Sequence, residues 1–243
     1  MLVDTQPATY QHAPASPEVR DAWVNSQLIG VLMDNMGPSL LAATLSLPVL
    51  IYLMAGEVNT PALGVWTALM LAMLVFRYRL IGIYRLRYDS LEGPQRQAFI
   101  QRYQWTWPAV AVLWGGPVLL TYLQADVITQ SVCALVVLGQ GLLTLTAFSA
   151  YLPIYRAYAN GLILTVFIGL VGATAHHIDM PDVLQTGVIF MVLLLVFWAL
   201  LQMAGTRLHL VHRSSFELQF SNQELIDSLT LQTRASLRAV ATK

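Results

Sequence analysis

Charge is what this sequence has least of. Asp, Glu, Lys and Arg make up 11% of its 243 residues, where soluble domains carry about 25%. Hydrophobic residues reach 56% and mean hydropathy is +0.60, which excludes an ordinary water-soluble domain and points to a polytopic membrane protein. A chain of this length has room for one helix bundle and its tails, not for a bundle and a separate catalytic domain. Cys133 is the single cysteine, so neither a disulfide framework nor a thiolate metal cluster is available. No Asp, Glu, Lys or Arg lies deep inside the long apolar runs; proton pumps, ion-coupled transporters and voltage sensors need such groups in the pathway or the field. HExxH, GxSxG and paired-carboxylate patterns are absent as well, so no catalytic residue and no cofactor is assigned. The apolar runs are of unequal length and show no inverted repeat.

The N-terminus lacks a basic segment leading into an apolar core. Residues 1–16 are polar and hold Pro7 and Pro14, which predicts a disordered tail and not a cleaved signal peptide. Over residues 17–36, Trp23 or Val24, Leu28, Leu32 and Met36 recur near helical spacing behind Glu18, Arg20 and Asp21. That pattern predicts an interfacial amphipathic helix, broken at Gly37-Pro38. Six apolar runs follow, at about Ser39–Ala55, Pro61–Phe76, Pro108–Leu123, Val127–Ala150, Ala159–Ala175 and Val183–Gly205. Trp105, Trp107, Tyr78 and Tyr151 flank them as interfacial anchors. Buried helices of a soluble protein would need polar faces that these runs lack. The expected fold is an all-α membrane bundle of six transmembrane helices over residues 37–205, with a cytoplasmic coiled coil over 206–243.

Basic residues set the orientation. With the N-terminus inside, all 13 fall in cytoplasmic segments: Arg20; Arg77, Arg79, Arg85, Arg87, Arg96 and Arg102; Arg156; Arg207, Arg213, Arg234, Arg238 and Lys243. The opposite loops hold only acids, Glu57, Asp126, Asp179 and Asp182. The positive-inside rule then puts both termini in the cytoplasm. The connection Arg77–Gln104 reads as a helical hairpin turning at Glu92-Gly93-Pro94, with its arginines reaching lipid phosphates. An arginine cluster at a bilayer surface argues against nucleic acid as the partner.

Mild polar residues inside the runs are the candidates for a site. Gln130, Cys133, Val137, Gln140 and Thr144 share one face of the fourth run, and Trp114 and Thr121 share one face of the third, where Gly115, Gly116 and Pro117 can distort the helix. Gly161, Thr165, Gly169, Ala173 and His177 stand four apart in the fifth, a small-residue ridge suited to close packing. Two readings stay open: a pocket between the third, fourth and fifth helices for a small lipophilic ligand, or interhelical hydrogen bonds and packing. His176 and His177, beside Asp179 and Asp182, are the only cluster with metal-ligand chemistry. Adjacent histidines at a helix end point apart, so a closed metal site would need ligands from elsewhere; pH sensing and an ordinary interfacial loop are the other readings.

After the sixth run the sequence turns polar without a proline as far as Lys243, which predicts one rod, half in lipid and half in water. Placing Leu208, Ser215, Asn222, Leu229 and Ser236 at a puts Val211, Leu218, Leu225, Gln232 and Ala239 at d. This is a parallel coiled-coil seam centred on Leu218, Asn222, Leu225 and Leu229, with Asn222 as a polar a residue that favours dimers. The alternative is an amphipathic tail lying on the membrane.

This segment, FELQFSNQELIDSLTLQTRASLRAVATK, resembles the linker that precedes the phosphoacceptor-histidine helix of bacterial hybrid sensor histidine kinases. Leu218, Asn222, Leu225, Ala235, Ala239 and Lys243 match the family's Leu-x-x-x-Asn-x-x-Leu stretch and the alanine-spaced basic helix after it. The bundle, with its arginine-rich loop and Trp114-Gly115, is similar to the membrane input domains of such kinases and of diguanylate cyclases. The resemblance implies the sensory part of a larger polypeptide, because the phosphoacceptor histidine, the ATP-binding domain and the receiver are not in this sequence. It implies membrane lipids and a second copy of the chain as partners, with a response regulator engaged only through the missing kinase part. The expected function is a sensory input domain; a receptor for a lipophilic quorum-sensing-type signal and a small transporter or channel with an oligomerising tail are the alternatives.

Overall fold

The computed structural model describes residues 16–87, 93–122, 124–176 and 181–241. The expected tail up to residue 15, Glu92, His177, Asp179 and Lys243 lie outside the described residues. Among the described residues seven helices follow in order: α1 Pro17–Met54, α2 Thr60–Arg87, α3 Pro94–Tyr103, α4 Thr106–Thr121, α5 Val127–Phe148, α6 Leu152–His176 and α7 Pro181–Ala241. Among the described residues there is no strand.

Each of the six apolar runs forms the body of one helix. Among the described residues five helices, α1, α2, α5, α6 and α7, are long and apolar enough to cross a membrane. Their outer faces carry Leu45, Val49, Val65, Leu69, Leu195 and Leu200, each at least half exposed. Side chains of that kind in rows without charge are stable against lipid, not against water. The chain is thus a helical membrane bundle. The 16 residues of α4 give about 24 Å of helix, short of a ~30 Å hydrocarbon layer. Much of α4 is packed within the bundle, with Trp107, Val110, Ala111, Trp114 and Val118 all buried, while Val112 is half exposed.

The most extensive helix contact lies between α4 and α6, and glycine makes it possible. A Cβ at Gly115 would overlap the Thr165 side chain, while Gly161 sits against Pro108 and Ala111 and Gly169 against Leu119. Close backbone approach of this kind drives helix association where lipid removes the hydrophobic gain. The Trp66 indole of α2 closes over Gly116 and donates to the Leu113 carbonyl at 2.8 Å.

Expectations need correction in two parts of the chain. Gly37-Pro38 does not end the first helix: α1 runs unbroken through Pro38 and Pro48. Proline removes one backbone donor, but a broken helix inside an apolar bundle would strand several backbone groups without water. Met36, Leu40, Ala43, Leu47 and Leu50 are buried along this stretch, so packing holds it. The stretch 17–36 is not a free interfacial helix either, since Val24, Leu28, Ile29, Leu32 and Met33 are core residues. Ser16 caps it from the Val19 amide, with Pro17 at its first position.

Arg77 is the second correction. It is not a lipid-facing arginine of the cytoplasmic connection: it lies within α2, 3% exposed. The hairpin in that connection has α2 as one arm and α3 as the other, with Gly93 at φ +64° immediately before Pro94. Only glycine takes that backbone region cheaply. The Gly93 amide donates to the Ser26 hydroxyl at 3.1 Å, which ties the start of α3 to α1.

Candidate functional site

α7 approaches α6 at two glycines eighteen residues apart, a spacing of about five helical turns that puts both on one face. A Cβ at Gly187 would overlap Thr174, and one at Gly205 would overlap the Tyr155 ring. Between them Leu194 and Leu201 are buried. Beside this seam Asn160 of α6 accepts from both Trp198 Nε1 and Gln202 Nε2, each at 2.9 Å.

A cavity of about 830 Å³ lies on the other side of this contact, among α4, α5, α6 and α7. Val118 and Tyr122 line it from α4, Gln130, Ala134 and Leu138 from α5, Val166 and Thr174 from α6, and Phe190, Leu193 and Phe197 from α7. Its floor is where α5, α6 and α7 converge. Gly141 allows that approach, with Leu162, Phe197 and Leu201 around the position of its missing Cβ. Its side opens between α5 and α7, where the lining residues Leu135 and Leu193 are exposed. An apolar chamber of this size, opening sideways and carrying a few hydroxyl and amide groups, has the character of a site for a lipophilic molecule with a small polar end.

The sequence candidates are distributed unevenly around it. Gln130 lines the cavity and donates to the Ala125 carbonyl at 2.8 Å. Thr121 faces its own helix, donating to the Pro117 carbonyl at 2.7 Å, and Thr144 does the same to the Gly141 carbonyl at 2.6 Å. Gln140 is turned to the α1 side of α5, donating to the Ser46 hydroxyl at 3.2 Å. Trp114 is buried in the α4 core. None of these four is among the lining residues. His176 is exposed at the last residue of α6. Leu218, Asn222, Leu225 and Leu229 stand exposed on α7. Among the described residues no group of three His, Cys, Asp or Glu side chains could hold a metal ion.

Sequence reasoning missed the fourth wall. Phe190 and Phe197 lie seven apart inside an unbroken apolar run, and nothing in such a run separates cavity-facing from lipid-facing aromatics. At the start of α5, Asp126 caps the helix: the Thr129 amide donates to its carboxylate at 2.7 Å. That bond holds the Asp126 carboxyl below its ordinary value.

Beyond the bundle α7 continues as a rod, and the start of α1 clasps it. Arg213 lies 2.9 Å from Asp21 and 2.8 Å from Glu217, and Trp23 packs against Phe216 and Phe220 with ring centroids 6.3 and 5.4 Å away. Its hydrogen bond to the Glu217 carboxylate raises the Arg213 guanidinium above its ordinary value. His209 Nδ1 is 2.9 Å from the Ala150 carbonyl, which fixes the rod to the α5–α6 turn.

The chain matches no protein-family model, no curated protein and no solved structure.

Proposed function

We propose that the chain is a membrane-embedded sensory input domain of a two-component kinase, in which the state of the α4–α7 cavity is passed along α7 to a dimeric coil. One observation carries this reading. α7 is a single uninterrupted helix of 61 residues, about 90 Å long, and the same helix is both a wall of the cavity and the rod that leaves the bundle.

The phase of that helix supports it. Leu193, Val211 and Leu229 are each eighteen residues apart, so on a straight helix they line up. Leu193 borders the open side of the cavity, and Val211 and Leu229 belong to the heptad seam. A shift in how α7 meets the cavity therefore turns the seam itself. The a and d positions from Leu208 to Leu229 are exposed along their length, while Arg213, Phe216 and Phe220 turn to α1. The clasp thus covers one side of the rod and leaves the seam for a second copy of the chain.

In this reading the six helices α1, α2 and α4–α7 span the bacterial inner membrane, with both termini cytoplasmic. The arginine-bearing ends of α2 and α3 and the rod of α7 lie on the inner side. The signal is a small lipophilic molecule or the state of the surrounding lipid. The kinase part, and through it a response regulator, would receive the output. A ligand biases the output only by its difference in affinity between two arrangements, tenfold for about 1.4 kcal/mol.

Native mass spectrometry of the chain in mild detergent tests the proposal. It predicts a dimer carrying a discrete lipophilic adduct or lipid, with the adduct lost in Ala134→Phe, which fills the chamber. A monomer would sink it. So would a flux of ions or solutes through liposomes containing the chain, because the transporter reading alone expects one.

A further inference from the structure

Among the described residues Arg77 is a buried charge without a counter-ion. It is 3% exposed, and its Nε and Nη2 have no hydrogen-bond partner. Two more buried donors are unsatisfied in the same part of the bundle, Trp107 Nε1 and Ser149 Oγ, both on residues fully shielded from solvent. Trp107 and Phe148 both pack against Arg77. The guanidinium carbon lies 5.4 Å from the centre of the Trp107 ring and 5.5 Å from that of Phe148, and Ser149 follows Phe148 directly. Tyr158 backs the group, its ring 5.1 Å from that of Phe148. No carboxylate among the described residues pairs with Arg77.

Stacked aromatic faces offset part of the cost of burying a cation. They do nothing for its N–H groups, which need acceptors. The carbonyls at the end of α5 carry partial negative charge, yet none of them accepts from Arg77 Nε or Nη2. An arginine does not escape by losing its proton at neutral pH. Arginine and indole N–H groups can only donate, and a hydroxyl can also donate. What satisfies all of them at once is an acceptor with negative charge. Arg77, Trp107 and Ser149 are all buried, which disfavours a lipid headgroup with its chains attached. Aromatic walls also disfavour a strongly hydrated, doubly charged oxyanion, because little replaces its water.

We propose that Arg77, Trp107 and Ser149 bind one small, weakly hydrated anion of the halide class. Its donors come from α2, the start of α4 and the turn after α5, so the ion fastens three helices at one end of the bundle. This site is separate from the α4–α7 cavity and does not depend on the signalling proposal.

The test is thermal unfolding of the full chain in nonionic detergent. Sodium gluconate is replaced stepwise by sodium chloride, bromide or sulfate at constant ionic strength. The proposal predicts a saturable rise in Tm with chloride and bromide and none with sulfate. Arg77→Met abolishes the dependence. Ser149→Ala keeps the charge and loses one donor, so its half-saturating bromide concentration rises about three- to tenfold. Should Arg77→Met fail to fold, the Ser149→Ala comparison decides. Identical Tm in all anions would mean that water fills these hydrogen bonds, and the proposal falls. It falls equally if the chloride response survives in Arg77→Met, or if bromide half-saturation in Ser149→Ala is unchanged, since the ion then binds elsewhere.

Discussion

The Tyr155 hydroxyl donates to the Leu201 carbonyl at 2.6 Å, and its ring fills the space left by Gly205, one turn further along α7. A tyrosine at the start of α6 thus grips α7 at the point where it leaves the bundle. Removing the hydroxyl with Tyr155→Phe costs about 1 kcal/mol. Gly205→Ala forces a methyl group into a fully buried ring and costs about 1–3 kcal/mol. Thermal unfolding in detergent should rank them in that order, with Gly205→Ala the lower in Tm. Two variants at the wild-type Tm would show that this grip does not hold α7.

The clasp between α1 and the rod divides into a polar and an aromatic part. Arg213 and Asp21 are 36% and 47% exposed, so the ion pair contributes at most about 1 kcal/mol. Asp21→Asn should therefore leave hydrogen exchange along residues 209–224 nearly unchanged. Trp23→Ala removes the ring that covers Phe216 and Phe220, and exchange there should rise. Equal effects of the two substitutions would contradict this division.

Asp126 gives the N-terminal end of α5 a pH dependence of known sign. Its carboxyl is held below the ordinary value by the Thr129 amide. A depressed carboxyl stabilises the fold above its unfolded pKa of about 3.9 and loses that contribution as pH falls through the folded value. Acid unfolding of the wild type should therefore show a loss below about pH 4 that is smaller in Asp126→Asn. An unchanged acid limb in that variant would remove the cap from the account.

Asn222 tests the seam. A polar a residue fixes register at a cost in stability, so Asn222→Ile should tighten self-association by about tenfold or more, ~1.4 kcal/mol. It should also hold the output of a kinase carrying this domain in one state. Sedimentation in detergent measures the first effect and phosphotransfer the second. No change in either would end the switch idea.

Much of the fold was legible because membrane helices advertise themselves by length and apolarity. The rod of α7 could be read from the stretch Val183–Val240, which has no proline, and from the absence of charge before Arg207. The break expected at Gly37-Pro38 was wrong because proline was weighed as in water, where freed carbonyls find solvent; in the bundle they do not. Arg77 was misplaced for a related reason. It follows Phe76 at the edge of an apolar run, and sequence does not tell whether such a residue turns outward to phosphate or inward between Trp107 and Phe148. For the cavity, the spacing of polar residues on α5 pointed to one face, and Gln130 does line the chamber. Thr121 and Thr144 instead bond to their own helices, a local option open to any hydroxyl in a helix. The contribution of α7 was hidden by its uniformity.

The measurement that bears most directly on the central claim is the distance between two copies of α7 in lipid. A spin label at Thr230→Cys, in a Cys133→Ala background, reports it by pulsed electron paramagnetic resonance in nanodiscs. It is read once with the cavity unaltered and once with Ala134→Phe filling it. The account predicts a narrow distance distribution from a parallel pair, and a shifted one when the chamber is filled. No dipolar coupling, or the same distribution in both, would contradict it.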